Sequence, residues 1–253
     1  MPHASVINAH DAPPSISIII PALNEADHLQ RLLPLLWQRG RPWVLEILVV
    51  DGGSMDTTRQ AAQEGGAQWL CAPQPGRAAQ MNYGAQHAKA SILHFIHADS
   101  LPEAGFAQAL ITAISSGHKA GCLRNRFDTR HPGLLLCSYC SRFRGLMFRG
   151  GGQTLFVTRD LFAAAGGYDT RLDLMEEYDL IRKLQRQTSF VVLPLNAWVS
   201  VRKHRRNGAL RLQLIYACIM GMYFAGCSQE RMKRFHKRMV RTGPQQMHFE
   251  RET

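Results

Sequence analysis

Acidic residues are scarce in this chain: 19 Asp and Glu stand against 30 Lys and Arg, for a net charge of +11. That deficit argues against a cationic partner and for a polyanionic one, whether phosphate-bearing substrate, anionic membrane surface or nucleic acid. Cysteine is sparse too. Cys71, Cys122, Cys137, Cys140, Cys218 and Cys227 form no dense framework, which excludes a small disulfide-stapled fold and suits reduced thiols. Cys137 and Cys140 have the spacing of a redox or zinc half-site but lack a second pair, so packing within a helix is the expected role. No uninterrupted apolar run reaches the roughly 20 residues of a membrane span. The longest apolar stretch, from Leu210 to Cys227, is broken early by Arg211 and Gln213. No base-reading module or aromatic stacking platform accompanies the basic charge, so nucleic acid is not the expected partner. There is no internal repeat.

What is present is enough apolar residue, 45%, to bury a sizeable core over 253 positions. The charge is uneven. The first 100 residues are nearly balanced, and the excess gathers in Arg124, Arg126, Arg130, Arg142, Arg144 and Arg149, then in 202–206 and 231–241. Residues 1–14, with three prolines and no apolar run, read as a loose arm rather than a targeting segment, and a cytoplasmic protein is expected.

Along the chain, strands and helices alternate. Ile16–Ile20 and Ile47–Val50 are buried-strand runs, and Ala67–Cys71 and Ile92–Ile96 add two more. Between them, Leu29, Leu32, Leu33 and Leu36 mark one helix face, with Pro34 a potential kink. A helix is expected to begin near Met55 or Asp56, another to run from Gly76 to Lys89, and a further one to start at Pro102. This alternation predicts a mostly parallel sheet with helices on both faces, whose ligand crevice lies at the carboxyl ends of the strands. Asn24 with Glu25, Asp51 with Ser54, and His97 with Asp99 fall at three such ends. Beyond residue 117 the spacing predicts strands over Cys122–Phe127 and Thr154–Thr158, a helix over Leu134–Met147, and a glycine hinge at 150–152. It then predicts a turn at Gly166-Gly167-Tyr168-Asp169, a helix over Glu177–Arg186, short strands at Phe190–Leu193 and Ala197–Val201, and helices over 208–226 and 228–240. The last two helices suit docking on the domain or on a membrane surface.

Five segments together resemble family 2 glycosyltransferases: Ser17 to Glu25, Val49 to Thr58, Gly76 to Gly84, His97-Ala98-Asp99, and Met175 to Asp179. Their order is that of the family and they span 16 to about 200. The details are most similar to a bacterial subgroup of small members associated with radical-SAM and selenoprotein-type gene neighbourhoods. The resemblance implies an α/β fold of the GT-A (Rossmann-like) type: a mixed, mostly parallel sheet flanked by helices. It also implies a division into an arm at 1–14, a GT-A domain at 15–205, a helical appendage at 206–242 and a tail at 243–253.

The resemblance further implies inverting, metal-assisted transfer of a sugar from a UDP- or GDP-sugar donor to a hydroxyl acceptor. So basic a second half suggests either an acceptor or lipid carrier bearing phosphate, or docking at an anionic membrane, with the protein in the cytoplasm or at the inner face of the membrane. Asp99 stands as the metal ligand for Mn²⁺ or Mg²⁺, since a hard cation between carboxylate and diphosphate oxygens neutralises the leaving group. Asp99 would equally suit a helix cap near Pro102. His97 occupies the place of the first Asp of the family's Asp-x-Asp motif. Pro21, Ala22, Asn24, Glu25, Asp51, Gly53, Arg77, His97, Ala98 and Asp99 form the donor side. Asp51 could also simply close the Gly52-Gly53 turn. Glu177 is the candidate general base, with Glu176 the fallback and Asp179 orienting the segment. These acids would equally complement a helix N-terminus. Gly151, Gly152 and Gln153 match an acceptor-side loop, and His204 is a candidate second metal ligand. The alternatives are a catalytically silent nucleotide- or membrane-binding protein and a nucleotidyltransferase. The latter is disfavoured by Pro21–Glu25, where a glycine-rich turn with a basic residue would be expected.

Overall fold

The structure, a computed structural model, describes residues 14–149 and 154–241. The expected arm (all but its last residue), the Gly151-Gly152-Gln153 loop and the tail 243–253 lie outside the described residues.

The first half winds as the alternation predicts: β1 (Ile16–Ala22), α1 (Ala26–Gly40), β2 (Val44–Asp51), α2 (Thr58–Glu64), β3 (Gln68–Cys71), α3 (Arg77–His87) and β4 (Ile92–Phe95). β1 is buried along its whole length and pairs in parallel with β2 on one side and β4 on the other. The second half continues with β5 (Ser100–Pro102), α4 (Phe106–Ser115), β6 (Ala120–Phe127), α5 (Pro132–Cys140), a 3-10 turn (Leu146–Phe148), β7 (Leu155–Thr158), α6 (Arg159–Ala164), α7 (Glu176–Gln187) and β8 (Phe190–Val199). Helices α8 (Arg202–Asn207), α9 (Ala209–Phe224) and α10 (Gln229–Met239) follow. One eight-stranded sheet results, in the order β3-β2-β1-β4-β7-β6-β8-β5. β7 runs antiparallel to both its neighbours, β4 and β6, and β5 lies antiparallel on β8, so the sheet is mixed at that end.

The period-2 alternation of the strands divides the core in two. Ile16, Ile18 and Ile20 face α1, α2 and α4, where Leu29, Leu33, Leu36, Phe106 and Leu110 pack. Ile19, Leu48, Val50, Leu93 and Phe95 face α3, α6 and α7 through Met81, Phe162 and Leu180. Helix α3 approaches the sheet closely because it has glycine at the contact. A Cβ on Gly84 would come within 2.5 Å of Ile19 Cγ2. A third cluster, Leu212, Ile215, Ile219 and Met232, joins α9 to α10 and rests on Leu174 and Met175.

Helix α1 runs through Pro34, which sits on its exposed side. Three local expectations are corrected. Pro102 does not open a helix. It ends β5, opposite Ala197, and α4 begins after Gly105. The single helix expected over Leu134–Met147 stops at Cys140, because the buried Arg149 takes carbonyls the helix would have used. Its Nη2 donates to the Ser141 carbonyl at 2.7 Å and to that of Phe143. The two strands expected at 190–193 and 197–201 are one, β8, in which Pro194 falls within a register shift against β6.

Candidate active site

The carboxyl ends of β1, β2 and β4 come out at one edge of the sheet. Ala22 is paired with Asp51 in the register, and the Ile96 N–H donates to the Ile19 carbonyl, which brings His97 to the same level. Gln80, buried on α3, clamps the first two ends together: its Nε2 donates to the carbonyls of Ala22 at 2.8 Å and Val50 at 2.7 Å. Pro21 and Ala22 are therefore buried wall, and the polar residues Asn24, Glu25, Ser54, His97 and Asp99 beyond the strand ends are half-buried.

On the β1–β2 side the loops are tied to each other. Asn24 adopts a left-handed backbone, φ 54°, which Asn tolerates better than most residues. Its N–H donates to Ser54 Oγ at 2.8 Å, and its side-chain oxygen accepts from the Met55 N–H at 2.9 Å. Asp51 Oδ1 accepts from the Gly53 N–H, the Ser54 N–H and Ser54 Oγ at 2.7–3.0 Å, and Oδ2 accepts from Trp69 Nε1 at 3.1 Å. A carboxylate offers about four acceptor positions, so Asp51 closes its turn and still has capacity at Oδ2. Gly53 has φ 101°, which suits it to that turn. Asp56 caps α2 through Thr58. Burial alone would raise its pKa, but the hydrogen bonds from Thr58 and Ala26 hold it below the ordinary value. The Glu25 carboxylate pairs with His28 at the start of α1.

On the β4 side the charged groups converge. His97 Nε2 lies 2.5 Å from Glu177 Oε1, and both side chains are nearly buried. Arg77, first residue of α3, places Nη2 2.7 Å from Glu176 Oε1 while remaining partly exposed. Burial opposes the charge on Arg77, yet Glu176, Glu177 and Asp99 together raise its pKa. The adjacent glutamates are driven apart. Burial pushes Glu176 up. The same desolvation acts on Glu177, but the charge and hydrogen bond of His97, with Arg77 and Lys203 behind, bring it below the ordinary carboxylate value. Separated pKa values of this kind suit one carboxylate to remain ionised as a base. The residue leading into the pair, Met175, has φ 71°, a left-handed conformation that costs energy for a side chain of this kind and marks the turn as held in place by its surroundings.

Asp99 is half-buried beyond β4, and its carboxylate forms no hydrogen bond or ion pair among the described residues. Ala98 beside it is buried core. Among the described residues no group of three or more His, Cys, Asp or Glu converges as a metal cage. A free half-buried carboxylate fits a hard cation that draws its other ligands from a diphosphate and water. His204 has contacts of its own. Its Nε2 meets Gln213 Nε2 at 3.1 Å, its ring packs edge-on against Phe127, and burial with the neighbouring Lys203 charge lowers its pKa to about 4. Asp179 also points elsewhere, accepting from Tyr223 OH at 3.2 Å and pairing with Arg182 and Lys183. It fastens α7 to α9.

Three contributors were not visible in the sequence. Tyr168, expected only as part of a turn, buries a hydroxyl with no hydrogen-bond partner near Glu176, Glu177 and Arg77, whose charges bear on it. Tyr216 of α9, whose pKa burial raises, and His236 of α10, whose pKa burial lowers, stand on helices that pack against Leu174 and Met175, just ahead of Glu176. A tyrosine among turn residues was the one available signal for Tyr168.

Residues 17–138 match the family described as Glycosyl transferase family 2. The chain is 28% identical over 177 residues to the Mycobacterium tuberculosis protein named uncharacterized glycosyltransferase Rv1514c, covering 66% of this chain and 68% of that one. Among solved structures it superposes on the mannosyltransferase PcManGT of Pyrobaculum calidifontis, in complex with GDP-Man and Mn²⁺, at TM-score 0.66 and 19% identity, over 85% of this chain. The chain spans only 65% of that protein's length. It also superposes on the M. tuberculosis glucosyl-3-phosphoglycerate synthase, in complex with Mn²⁺, UDP and glucosyl-3-phosphoglycerate, at TM-score 0.55 and 18% identity, over 85% of this chain and 81% of that one. The mixed sheet with helices on both faces is that of the GT-A fold. Residues 17–138 thus form a glycosyl transferase family 2 domain, and the chain is a glycosyltransferase.

Proposed function

We propose that the chain transfers a sugar, with inversion, from a nucleoside diphosphate donor linked through UDP or GDP to a hydroxyl acceptor, and that Glu177 is the general base. The observation that carries this is the His97–Glu177 contact of 2.5 Å at the end of β4, with Arg77 and Asp99 in the same charged group. His97 holds Oε1 and keeps the carboxylate ionised, which leaves Oε2 for the acceptor hydroxyl. As the acceptor oxygen attacks the anomeric carbon, Glu177 takes its proton, and the bond from the anomeric carbon to the diphosphate breaks with its electron pair going to the diphosphate. Arg77 and the N-terminus of α3 face the space where that charge develops.

Asp99 is the residue proposed to hold Mn²⁺ or Mg²⁺, and such an ion would supply charge neutralisation to the diphosphate. His204 is kept as a second candidate ligand through its buried, unpartnered Nδ1. On the donor side Asp51 offers Oδ2 to the nucleoside, lined by Pro21, Ala22, Asn24, Glu25 and Gly53. Gly151, Gly152 and Gln153 are kept on the acceptor side. An acceptor bearing phosphate or a lipid carrier fits the basic second half of the chain, and membership of the narrower bacterial subgroup rests on the sequence segments.

A thermal-shift panel of UDP, GDP, CDP and dTDP, each with Mn²⁺, Mg²⁺ or chelator, tests the donor site. A nucleotide at a hundred times its dissociation constant adds about 2.7 kcal/mol to stability. Stabilisation by one nucleotide, dependent on metal and lost in Asp99→Asn, supports the proposal. No stabilisation by any nucleotide, in a folded protein, favours the catalytically silent reading.

A further inference from the structure

Most helices of this protein hide their apolar side; α9 does not. Its inner face buries Leu212, Ile215 and Ile219, while its outer face carries Leu210, 63% exposed, Leu214, 67%, and Phe224, 55%, at helical spacing. A helix apolar all round is normally buried all round. Its neighbour α5 behaves likewise. Leu136 is 61% exposed, and Tyr139, Phe143 and Met147 continue the exposed apolar side through the segment that follows. The two helices touch where Leu210 Cδ2 lies 3.0 Å from the position of a Cβ on Gly133, so the outer stripe of α9 begins against α5. Exposed apolar groups in such number mark an interaction surface.

The charge carried by the segments that bear them has one sign. Residues 129–159 contain no Asp or Glu, nor do residues 180–229. Arg130, Arg142, Arg144, Arg205 and Arg206 are exposed and form no ion pair among the described residues. Arg142 stacks its guanidinium 3.7 Å above the Tyr139 ring, an amphipathic pair with a flat apolar face and a charged rim.

We infer that the outer faces of α5 and α9 form a docking surface for an anionic lipid bilayer, with the leucines, Phe143, Met147 and Phe224 entering the headgroup boundary and the arginines meeting lipid phosphates. Apolar side chains framed by arginine are the composition of interfacial helices. A second copy of the chain fits poorly, because a twofold contact would set arginines against arginines with no acid to answer them. No helix among the described residues is long and apolar enough to cross the membrane, so the attachment is peripheral. The opposite side of α9 packs through Leu212, Ile215 and Ile219 on Leu174 and Met175, which lead into Glu176 and Glu177, so the candidate site lies on the far side of α9 from the proposed lipid surface. The docking stands apart from the transfer chemistry and does not require Glu177 to be a base.

Co-sedimentation of the full chain with phosphatidylcholine vesicles, with and without about one third phosphatidylglycerol, tests it. Binding is expected only to the anionic vesicles, weakened by high salt, and reduced roughly tenfold or more in Leu136→Ser/Leu214→Ser. Both leucines are exposed, so the variant should keep its melting temperature and its nucleotide-induced shift. That shift separates loss of docking from loss of the donor site. Absence of binding to anionic vesicles at low salt, or equal binding by the double variant, overturns the inference. So does a dimer in light scattering that the same substitutions disperse.

Discussion

Glu177 Oε1 and His97 Nε2 lie 2.5 Å apart although 80 positions separate the residues in the chain. The contact joins the turn after β4 to the N-terminus of α7 and gives the proposed base its charge state. Its consequence is a pH dependence. Burial is the largest single influence on Glu177 and would raise it, but the charge and hydrogen bond of His97, with the charges of Arg77 and Lys203, together outweigh it, so the net pKa is lowered. His97→Ala removes the foremost of these opposing influences and the pKa rises. The acidic limb of the transfer rate then moves to higher pH, while the wild-type rate holds to more acidic pH before Glu177 is protonated. A pH–rate profile of the two proteins checks this, and an acidic limb left in place removes His97 from the account.

Arg77 and Glu176 supply a prediction about stability. Glu176 is buried and Arg77 is the cation beside it. Arg77→Ala leaves that carboxylate without its counter-charge and should cost about 2 kcal/mol, less than a fully buried pair because Arg77 is partly exposed. Arg77→Ala/Glu176→Gln should regain much of the loss. Denaturant unfolding of the single and double variants measures it, and additive losses would show that the pair is not coupled.

His94 makes a separate prediction at acidic pH. It is fully buried, neither ring nitrogen has a partner, and burial lowers its pKa to about 3. The unfolded chain takes up this proton near pH 6.5 and the folded chain does not, so stability should fall as pH drops from about 6.5 towards 3, by up to about 1.4 kcal/mol per pH unit from this residue. His94→Leu should flatten that slope in thermal unfolding between pH 6.5 and 4.5. An unchanged slope would assign the acid sensitivity to other groups, His204 first among them.

Much of the donor half was legible in the sequence because its signals are local. The β-branched run of β1, the Leu29–Leu36 face and the polar residues after β1, β2 and β4 each declare themselves within a few positions. The remainder was set by partners distant in sequence. Arg149 ends α5 by capturing carbonyls from a preceding turn, and β5 exists because 100–102 pair with 197–199. His204, in a basic run, has its ring against Phe127 of β6, a contact the run itself does not announce. Tyr168 is held in place by the rings of Phe95 and Phe162, and Tyr216 by the packing of α9 on Leu174 and Met175, contacts between residues distant in sequence. The departure at His97 was visible, but its meaning was not until Glu177 stood beside it.

The most direct test of the central claim is the single-turnover rate of sugar transfer by Glu177→Gln, with the matching nucleotide sugar and acceptor at saturation. The account predicts a fall of about a hundredfold to ten-thousandfold, with the nucleotide-induced thermal shift retained, because the amide preserves shape and cannot take the acceptor proton. A rate within a few fold of wild type would contradict it and move the search for the base to Glu176.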